Sequence, residues 1–151
     1  MERFLVAVDE DPQAEKVIEI AGELAQKVGG SIVVCHIMPE EQYRKIEERQ
    51  RQEEVEQPIS ITEAEQRARA LATDAALGLK PYGVDFEAEG RVGVPAEEIV
   101  TLAQEMDADL IVMGFEGLRG LERLRALGSV SRAVMEETKR PVLIVPAVPE
   151  E

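Results

Sequence analysis

The residues best suited to chemistry in this sequence form a glycine-rich stretch between an apolar run and a helix-like segment. Gly114, Gly117 and Gly120 lie in this stretch, and Gly128-Ser129 ends it. Glycine lets a backbone approach an anion closely and adopt positive φ. A helix start adds unpaired N–H groups and the positive end of a dipole. The pattern predicts a phosphate-binding loop; the alternative is a mobile surface loop, with Gly128 only beginning a helix.

Other catalytic patterns are missing from the sequence. His36 is the single histidine and Cys35 the single cysteine, so a cluster of Cys and His metal ligands cannot be assembled, and the sequence gives no argument for a Ser-His-Asp set. The Walker pattern Gly-x4-Gly-Lys-Ser/Thr is also absent. His36 is expected to be a packed or hydrogen-bonded strand residue. The single Cys35 cannot form an internal disulfide and is expected in the core. The sequence favours binding over catalysis.

Composition limits the partners of the protein. Its 151 residues are expected to form one domain, 1–151, and 44% of them are hydrophobic. The net charge of −14 disfavours nucleic acid and anionic membranes as partners. No stretch approaches the ~20 apolar residues of a membrane helix, and no signal-peptide pattern begins the chain. We expect a cytoplasmic protein whose acidity reflects a saline or hot habitat, or simple solubility.

Short apolar runs alternate with helical patterns along the chain. Such runs are typical of strands buried on both faces of a parallel sheet. An alternating run predicts a more exposed, edge-like strand. We therefore expect an α/β fold with an open parallel sheet and helices on both faces. The predicted strands are 4–8, 31–37, 84–92 (the alternating one), 110–113 and 142–145.

The helical segments carry recognisable start and stop signals. Asp11 is predicted to cap the first helix, with Pro12 at its first position and Gly29-Gly30 ending it. Pro95 begins a later helix. The helix at about 61–78 is predicted to start with a capping box, Ser60 to Glu63, and to bury the stripe Ala64, Ala68, Leu71, Ala75 and Leu79.

The segment 40–57 is rich in Glu, Gln and Arg. It is expected to be an exposed helix with charge pairs four residues apart, or a mobile segment.

Asp9 and Gly114 each directly follow a predicted strand. Ligands of open α/β sheets bind beyond the carboxyl ends of the strands, where the strand order reverses. If the first and fourth strands are neighbours, both residues face one crevice. The alternative for Asp9 is that it only caps the following helix.

Several motifs, taken in order, resemble the universal stress protein family. The resemblance implies a Rossmann-like sheet of five parallel strands in the order 3-2-1-4-5. It also implies a homodimer paired through the last strand, 142–145. The motifs are Phe4–Asp9, Val34–Ile37, Val92–Pro95, Ala108–Gly114, Gly128–Val130 and Arg140–Val145.

One branch of that family binds ATP through Gly-x2-Gly-x9-Gly-Ser/Thr. This sequence has Gly114-x2-Gly117 and Gly128-Ser129, but its spacer is ten residues long, and Phe115 and Glu116 stand inside the first glycine pair. A carboxylate at Glu116 would repel a polyphosphate unless it turned outward or met a metal ion.

The resemblance implies an adenine-nucleotide site. The resemblance implies that three residues contact the adenine and ribose and that one residue packs against the base. It also implies that glycines and the start of a helix contact the ribose and phosphates. Arginines of the loop could offset Glu116. The adenine and ribose residues are Ala7, Asp9 and Ile37; the packing residue is Met113; the glycines and helix start are Gly114, Gly117, Gly128, Ser129 and Val130; the arginines are Arg119, Arg123 and Arg125.

The expected ligand is ATP, with AMP and cyclic AMP as alternatives, and with Mg or Mn carried by the phosphates. We therefore predict a nucleotide-binding sensor or regulator of the stress response in which hydrolysis is at most very slow, because no general base or arginine finger is evident. The alternative is a nucleotide-free dimeric interaction module whose acidic segment 40–57 binds an unidentified protein client.

Overall fold

In a computed structural model, residues 2–11, 13–114 and 128–146 are described. Within them, strands and helices alternate as the sequence predicts. The strands are β1 (Arg3–Ala7), β2 (Ser31–Pro39), β3 (Phe86–Gly93), β4 (Leu110–Gly114) and β5 (Val142–Val145). The α-helices are α1 (Ala14–Val28), α2 (Glu40–Gln52), α3 (Ile61–Ala76), α4 (Pro95–Glu105) and α5 (Ser129–Glu137), and a 3₁₀ helix (Leu77–Tyr82) continues α3.

The five strands form one parallel sheet in the order β3-β2-β1-β4-β5. This confirms the predicted fold class and strand order. β3 lies at one edge, as its alternating pattern predicted, and β5 lies at the other. β1 and β4 are neighbours, with Ala7 opposite Met113. The strand order therefore reverses beside the central strand β1, where open sheets bind ligands.

Helices cover both faces of the sheet because successive strand side chains point to opposite faces. Val6 points to the face covered by α1 and α3, and Leu5 points to the face covered by α4 and α5; both are fully buried. Cys35 is buried in the core between the sheet and the helices α4 and α5, as expected for a core residue. This burial raises the pKa of its thiol to about 12.

The segment 40–52 is an exposed helix, the first of the two alternatives for this region. It has no buried residue. Its ion pairs, such as Arg44 with Glu40 and Lys45 with Glu41, span one helical turn on the surface, where each contributes little stability. Tyr43 and Ile46 attach the helix by packing against a small cluster around Ile59.

Two predictions about helix starts have different outcomes. Ser60 caps α3, and its Oγ accepts a hydrogen bond from Glu63 N–H at 3.1 Å. Asp11 was wrongly predicted as the cap of α1, because the helix begins at Ala14 after Gln13. The Asp11 carboxylate instead accepts from Gln13 N–H at 2.9 Å, which stabilises the turn before the helix. Pro12 lies outside the described residues.

The buried stripe of α3 also differs from the prediction. Ala72 and Ala76 are buried, whereas Leu71 and Ala75 are only partly buried. α3 presents its smallest side chains to the sheet, so its backbone approaches β3 closely, and the longer Leu71 stands to one side. The helix ends at Ala76 rather than 78.

Across the described ranges, no helix has the length and apolar character needed to cross a membrane.

Candidate functional site

A cleft of about 330 Å³ opens at the carboxyl ends of the strands. This volume is typical of small-molecule sites. Asp9 and Gly114 both line it, so the predicted convergence of these two residues is confirmed. The described lining residues are Ala7–Asp11, Gln13, Ala14, Val17, Cys35–Ile37, Pro39, Gln42, Pro95, Ile99, Met113, Gly114, Gly128, Val130 and Ser131.

The cleft has two walls because both faces of the sheet contribute to it. The wall facing α4 and α5 is apolar and is formed by Ala7, Ile37, Ile99, Met113 and Val130. A flat aromatic base could be sandwiched there, since apolar contact is what a purine face requires.

The second wall faces α1. Val8 and Val17 make it partly apolar, and His36 and Gln13 add polar groups. His36 is only 9% exposed, and its Nδ1 lies 2.9 Å from the Val8 carbonyl oxygen. It is a hydrogen-bonded histidine, as predicted. Gln13 donates from Nε2 to the Val145 carbonyl oxygen at 2.7 Å, which links the start of α1 to the end of β5.

β2 extends past the end of β1, so main-chain N–H and C=O groups of its last residues have no partner strand on the β1 side and border the cleft. Ser31 N–H donates to Glu2 O, and Cys35 O accepts from Val8 N–H. The odd-numbered residues of β2 therefore direct their N–H and C=O groups toward β1, since this direction alternates along a strand. Ile37 is the next odd residue and lies beyond the end of β1. Its N–H and C=O groups therefore point into the cleft.

The start of α5 forms the far end of the cleft. Gly128 is buried and precedes the helix, and its carbonyl accepts the first helical hydrogen bond, from Arg132 N–H at 2.9 Å. Ser131 Oγ donates to the Gly114 carbonyl oxygen at 3.3 Å and fixes the helix against β4. The N–H groups of the first turn remain available to an anion, because an α-helix leaves them without helical partners.

Carboxylates crowd the loop between β1 and α1. Asp9, Glu10 and Asp11 all line the cleft, and no Lys or Arg belongs to its described lining. Asp9 is exposed, and its Oδ1 accepts from Glu10 N–H at 2.9 Å. α1 begins five residues after Asp9, so the carboxylate of Asp9 does not cap this helix.

The structure therefore brings together most of the predicted site residues. Ala7, Asp9, Ile37, Met113, Gly114, Gly128 and Val130 all line one cleft. Ser129 is exposed at the start of α5 and does not line it. The remaining predicted residue, Gly117, lies outside the described residues, as do Phe115, Glu116, Gly120, Arg119, Arg123 and Arg125.

Sequence reasoning missed Gln13 and Ser131 as cleft residues and assigned His36 only a packing role. The signal for His36 was available, because it precedes Ile37 at the carboxyl end of a strand. Gln13 and Ser131 had no comparable signal, since the bond of each depends on a residue far away in the sequence.

Comparison with known proteins identifies the kind of protein that carries this cleft. The model of the universal stress protein family matches residues 1–146. The chain belongs to the universal stress protein family. This confirms the resemblance seen in the sequence motifs.

Two relatives illustrate how far this universal stress protein matches others. The universal stress protein Sll1388 of Synechocystis is 32% identical over 149 residues, which cover 95% of this chain and 96% of the relative. The universal stress protein MJ0531 of Methanocaldococcus jannaschii is 50% identical over 64 residues, which cover only 42% of this chain and 37% of the relative.

Solved structures share the fold of this universal stress protein. MJ0577 of Methanocaldococcus jannaschii superposes with a TM-score of 0.75 at 23% identity, over 99% of this chain and 98% of that one. A universal stress protein solved in complex with cAMP has a TM-score of 0.66 at 25% identity, over 97% and 98%. One from Archaeoglobus fulgidus, solved in complex with dAMP, has a TM-score of 0.60 at 25% identity, over 95% and 97%.

Proposed function

We propose that this protein binds an adenine nucleotide in the cleft, with ATP as the leading ligand, and acts in the cytoplasm as a sensor or regulator of the stress response. The observation that carries the proposal is the main-chain edge of Ile37 beside an apolar wall. The cAMP and dAMP complexes of two structural relatives support an adenine ligand for a fold of this kind.

The Ile37 edge suits an adenine ring. Adenine offers a ring nitrogen that accepts a hydrogen bond beside an amino group that donates one, and Ile37 offers one N–H and one C=O. Two hydrogen bonds in this arrangement would orient the base, while Ala7 and Met113 contact its face. Guanine presents a carbonyl oxygen where adenine has its amino group, so the Ile37 carbonyl would oppose another acceptor. We therefore expect adenine to be preferred to guanine.

The phosphates are proposed to lie at the start of α5. Gly128 and Val130 line the cleft there, and the helix dipole favours negative charge at this end. Gly117 and Ser129 remain proposed phosphate contacts on the basis of the sequence pattern. No group of three or more His, Cys, Asp and Glu side chains in the described ranges is placed to hold a metal ion. We therefore propose that Mg or Mn enters only on the phosphates.

We expect nucleotide hydrolysis to be at most very slow. His36 belongs to β2, whereas the proposed phosphate end belongs to β4 and α5, on the other side of β1. A general base must come within hydrogen-bond reach of the attacking water. We therefore expect His36 to lie nearer the nucleoside end of the ligand than its phosphates.

A homodimer through residues 142–145 is also proposed. β5 is an edge strand of the sheet in this chain, and its residues Val142, Leu143 and Ile144 are only partly buried. An exposed strand edge is a template for pairing with another copy. Light scattering during gel filtration should give twice the chain mass. A monomeric mass at every concentration would contradict the dimer.

The nucleotide-free interaction module remains a second candidate, because one observation favours it. Asp9, Glu10 and Asp11 line the cleft without a described Lys or Arg beside them, and this charge opposes phosphate binding. In this alternative the exposed surface of α2 contacts the protein client.

Calorimetric titration with ATP, AMP and cyclic AMP, each with and without Mg²⁺, separates the two candidates. The nucleotide site predicts saturable heat, and no heat at millimolar ligand would leave only the interaction module. Ala7→Leu, which narrows the cleft, should abolish binding. Ala75→Leu is the matched control, because Ala75 is also partly buried but lies on α3 outside the cleft lining.

A further inference from the structure

Few contacts hold α2 against the rest of the protein. The helix has no buried residue, and its described ion pairs join its own side chains to one another. Tyr43 and Ile46 pack on the small cluster around Ile59, which is separate from the two main layers of the core. Elements with few buried apolar contacts open locally at a low free-energy cost. α2 can therefore open while the sheet stays folded.

Ile59 is the point at which α2 is fixed. Tyr43 Oη donates to the Ile59 carbonyl oxygen at 3.3 Å, and Gln50 Oε1 accepts from the Ile59 N–H at 2.6 Å. Among the described residues, these are the side-chain hydrogen bonds that join α2 to the rest of the chain. Ile59 is only 4% exposed, so a main-chain group that lost its partner here would be poorly hydrated. We call Tyr43, Gln50 and Ile59 the Ile59 anchor.

The first turn of α2 belongs to the cleft. α2 begins at Glu40, directly after β2 ends at Pro39, and both Pro39 and Gln42 line the cleft. Ile37 and Pro39 point to the same face of the sheet, because side chains alternate along a strand. A ligand on the apolar wall at Ile37 therefore extends toward Pro39. Since no linker separates the strand from the helix, a displacement of α2 changes the shape of the cleft at Gln42.

Met38 connects the cleft to the anchor. It lies between Ile37 and Pro39 in β2 and points to the opposite face, where it joins the cluster around Ile59. The last three residues of β2 thus contact the cleft on one face of the sheet and the anchored side of α2 on the other. The cleft and the attachment of α2 therefore share one short piece of strand.

We propose that α2 opens and closes as a unit, that the Ile59 anchor holds it closed, and that a ligand in the cleft favours the closed position. The part of this inference that concerns the ligand rests on the proposed nucleotide site. A ligand shifts such an equilibrium only through a difference in its affinity for the two positions. Pro39 and Gln42 supply that difference, because they complete the cleft only when α2 is closed. The exposed surface of α2 is then presented differently by the occupied and the empty protein.

Hydrogen–deuterium exchange followed by mass spectrometry measures the opening. In the ligand-free protein, peptides from α2 should exchange faster than peptides from α3, whose row of buried alanines packs on the sheet. AMP at about ten times its Kd should slow the exchange of α2 roughly 10-fold, because a ligand that binds only the closed form reduces the open population by the factor 1 + [L]/Kd. Exchange of α2 that equals that of α3, or that bound AMP leaves unchanged, would overturn the inference.

The variant Gln50→Met tests the anchor. Met keeps the length of the side chain but cannot accept from the Ile59 N–H, so α2 should exchange roughly 10-fold faster, while α3 beyond its first turn is unchanged. Gln52→Met is the matched control, because Gln52 is exposed on the same helix and lies outside the anchor. Its exchange should stay within about twofold of the parent. If the two variants exchange alike, the anchor is wrong.

The outcomes separate this inference from the proposed function. If no adenine nucleotide binds, the proposed function and the ligand part of the inference fail together, and the effect of Gln50→Met alone decides whether the anchor is correct. If AMP binds without slowing the exchange of α2, the coupling is overturned and the nucleotide site stands. The comparison of α2 with α3 in the parent protein is decisive even if a variant does not fold.

Discussion

Gly90 should tolerate no side chain, because α3 contacts β3 through main-chain atoms at this point. A β-carbon built at Gly90 would lie 2.5 Å from the Glu65 carbonyl oxygen and 2.6 Å from Arg69 Cα. Main-chain atoms of a helix cannot rotate away as a flexible side chain can. Gly90 also stands opposite His36 in the sheet, so this close approach lies beside a cleft residue.

The cost of Gly90→Ala follows from this geometry. Ordinary contacts of a β-carbon begin at 3.4 Å, so α3 would have to move outward by roughly 1 Å and loosen the packing of its buried alanines. Overpacking of a core costs about 1–3 kcal/mol, and we expect the upper end because the obstacle is backbone. For a chain of this size, 3 kcal/mol corresponds to a loss of roughly 6–12 °C in Tm.

Urea and thermal unfolding measure this cost against a matched control. Gly29 has φ of 71° and no atom within 4 Å of a built β-carbon, so its need for glycine is conformational. Gly29→Asn should be better tolerated than Gly29→Ala, because Asn adopts this backbone more readily. At Gly90 the larger Asn should be worse than Ala. If Gly90→Ala stayed within about 0.5 kcal/mol of the parent, the close approach of α3 would be wrong.

Two further predictions concern pH. Burial raises the pKa of Cys35 from 9.0 to about 12, so the stability contributed by its buried neutral thiol is fully present below pH 9 and lost as the pH rises toward 12. The parent should therefore lose more stability than Cys35→Ala over that range; parallel losses would show that the thiol is not buried. Arg91 donates to Glu105 at 2.7 Å, and this hydrogen bond lowers the pKa of the carboxyl group. The stability from this bond is present above the ordinary pKa of Glu105 and is lost as the pH falls through the lowered pKa. Arg91→Met should therefore lower the urea midpoint at pH 7 and lower it much less at pH 3. An equal decrease at the two pH values would contradict the ion pair.

The fold was largely predictable because its strands are short apolar runs between helical patterns. The runs around Leu5 and Ile111 could hardly be anything but buried parallel strands, and both are fully buried. The strand order came from the family resemblance, since local patterns do not specify which strands are neighbours. The buried face of α3 was predicted wrongly because it depends on tertiary contacts. Helical periodicity alone does not distinguish Leu71 from Ala72 as the buried residue, whereas the close contact of the helix with the sheet favours the smaller side chain.

The candidate site was predicted less completely. Asp9 and Gly114 could be placed at strand ends, and so at the cleft, from the sequence, whereas Ile37 was assigned to the site only by the family resemblance. The bond from Gln13 to Val145 joins residues 132 positions apart and leaves no local signal. The orientation of the Ile37 N–H and C=O groups toward the cleft could not be predicted from the sequence either, because it depends on where β1 ends relative to β2.

The amide signal of Ile37 tests the central claim most directly. In ¹H–¹⁵N spectra recorded during titration with ATP and Mg²⁺, or with AMP, we predict that this signal shifts downfield. Its shift should saturate with the calorimetric Kd, and the exchange of its amide hydrogen should slow in the complex. Nucleotide binding that leaves the Ile37 amide unchanged, or a protein that binds no adenine nucleotide, would contradict the account.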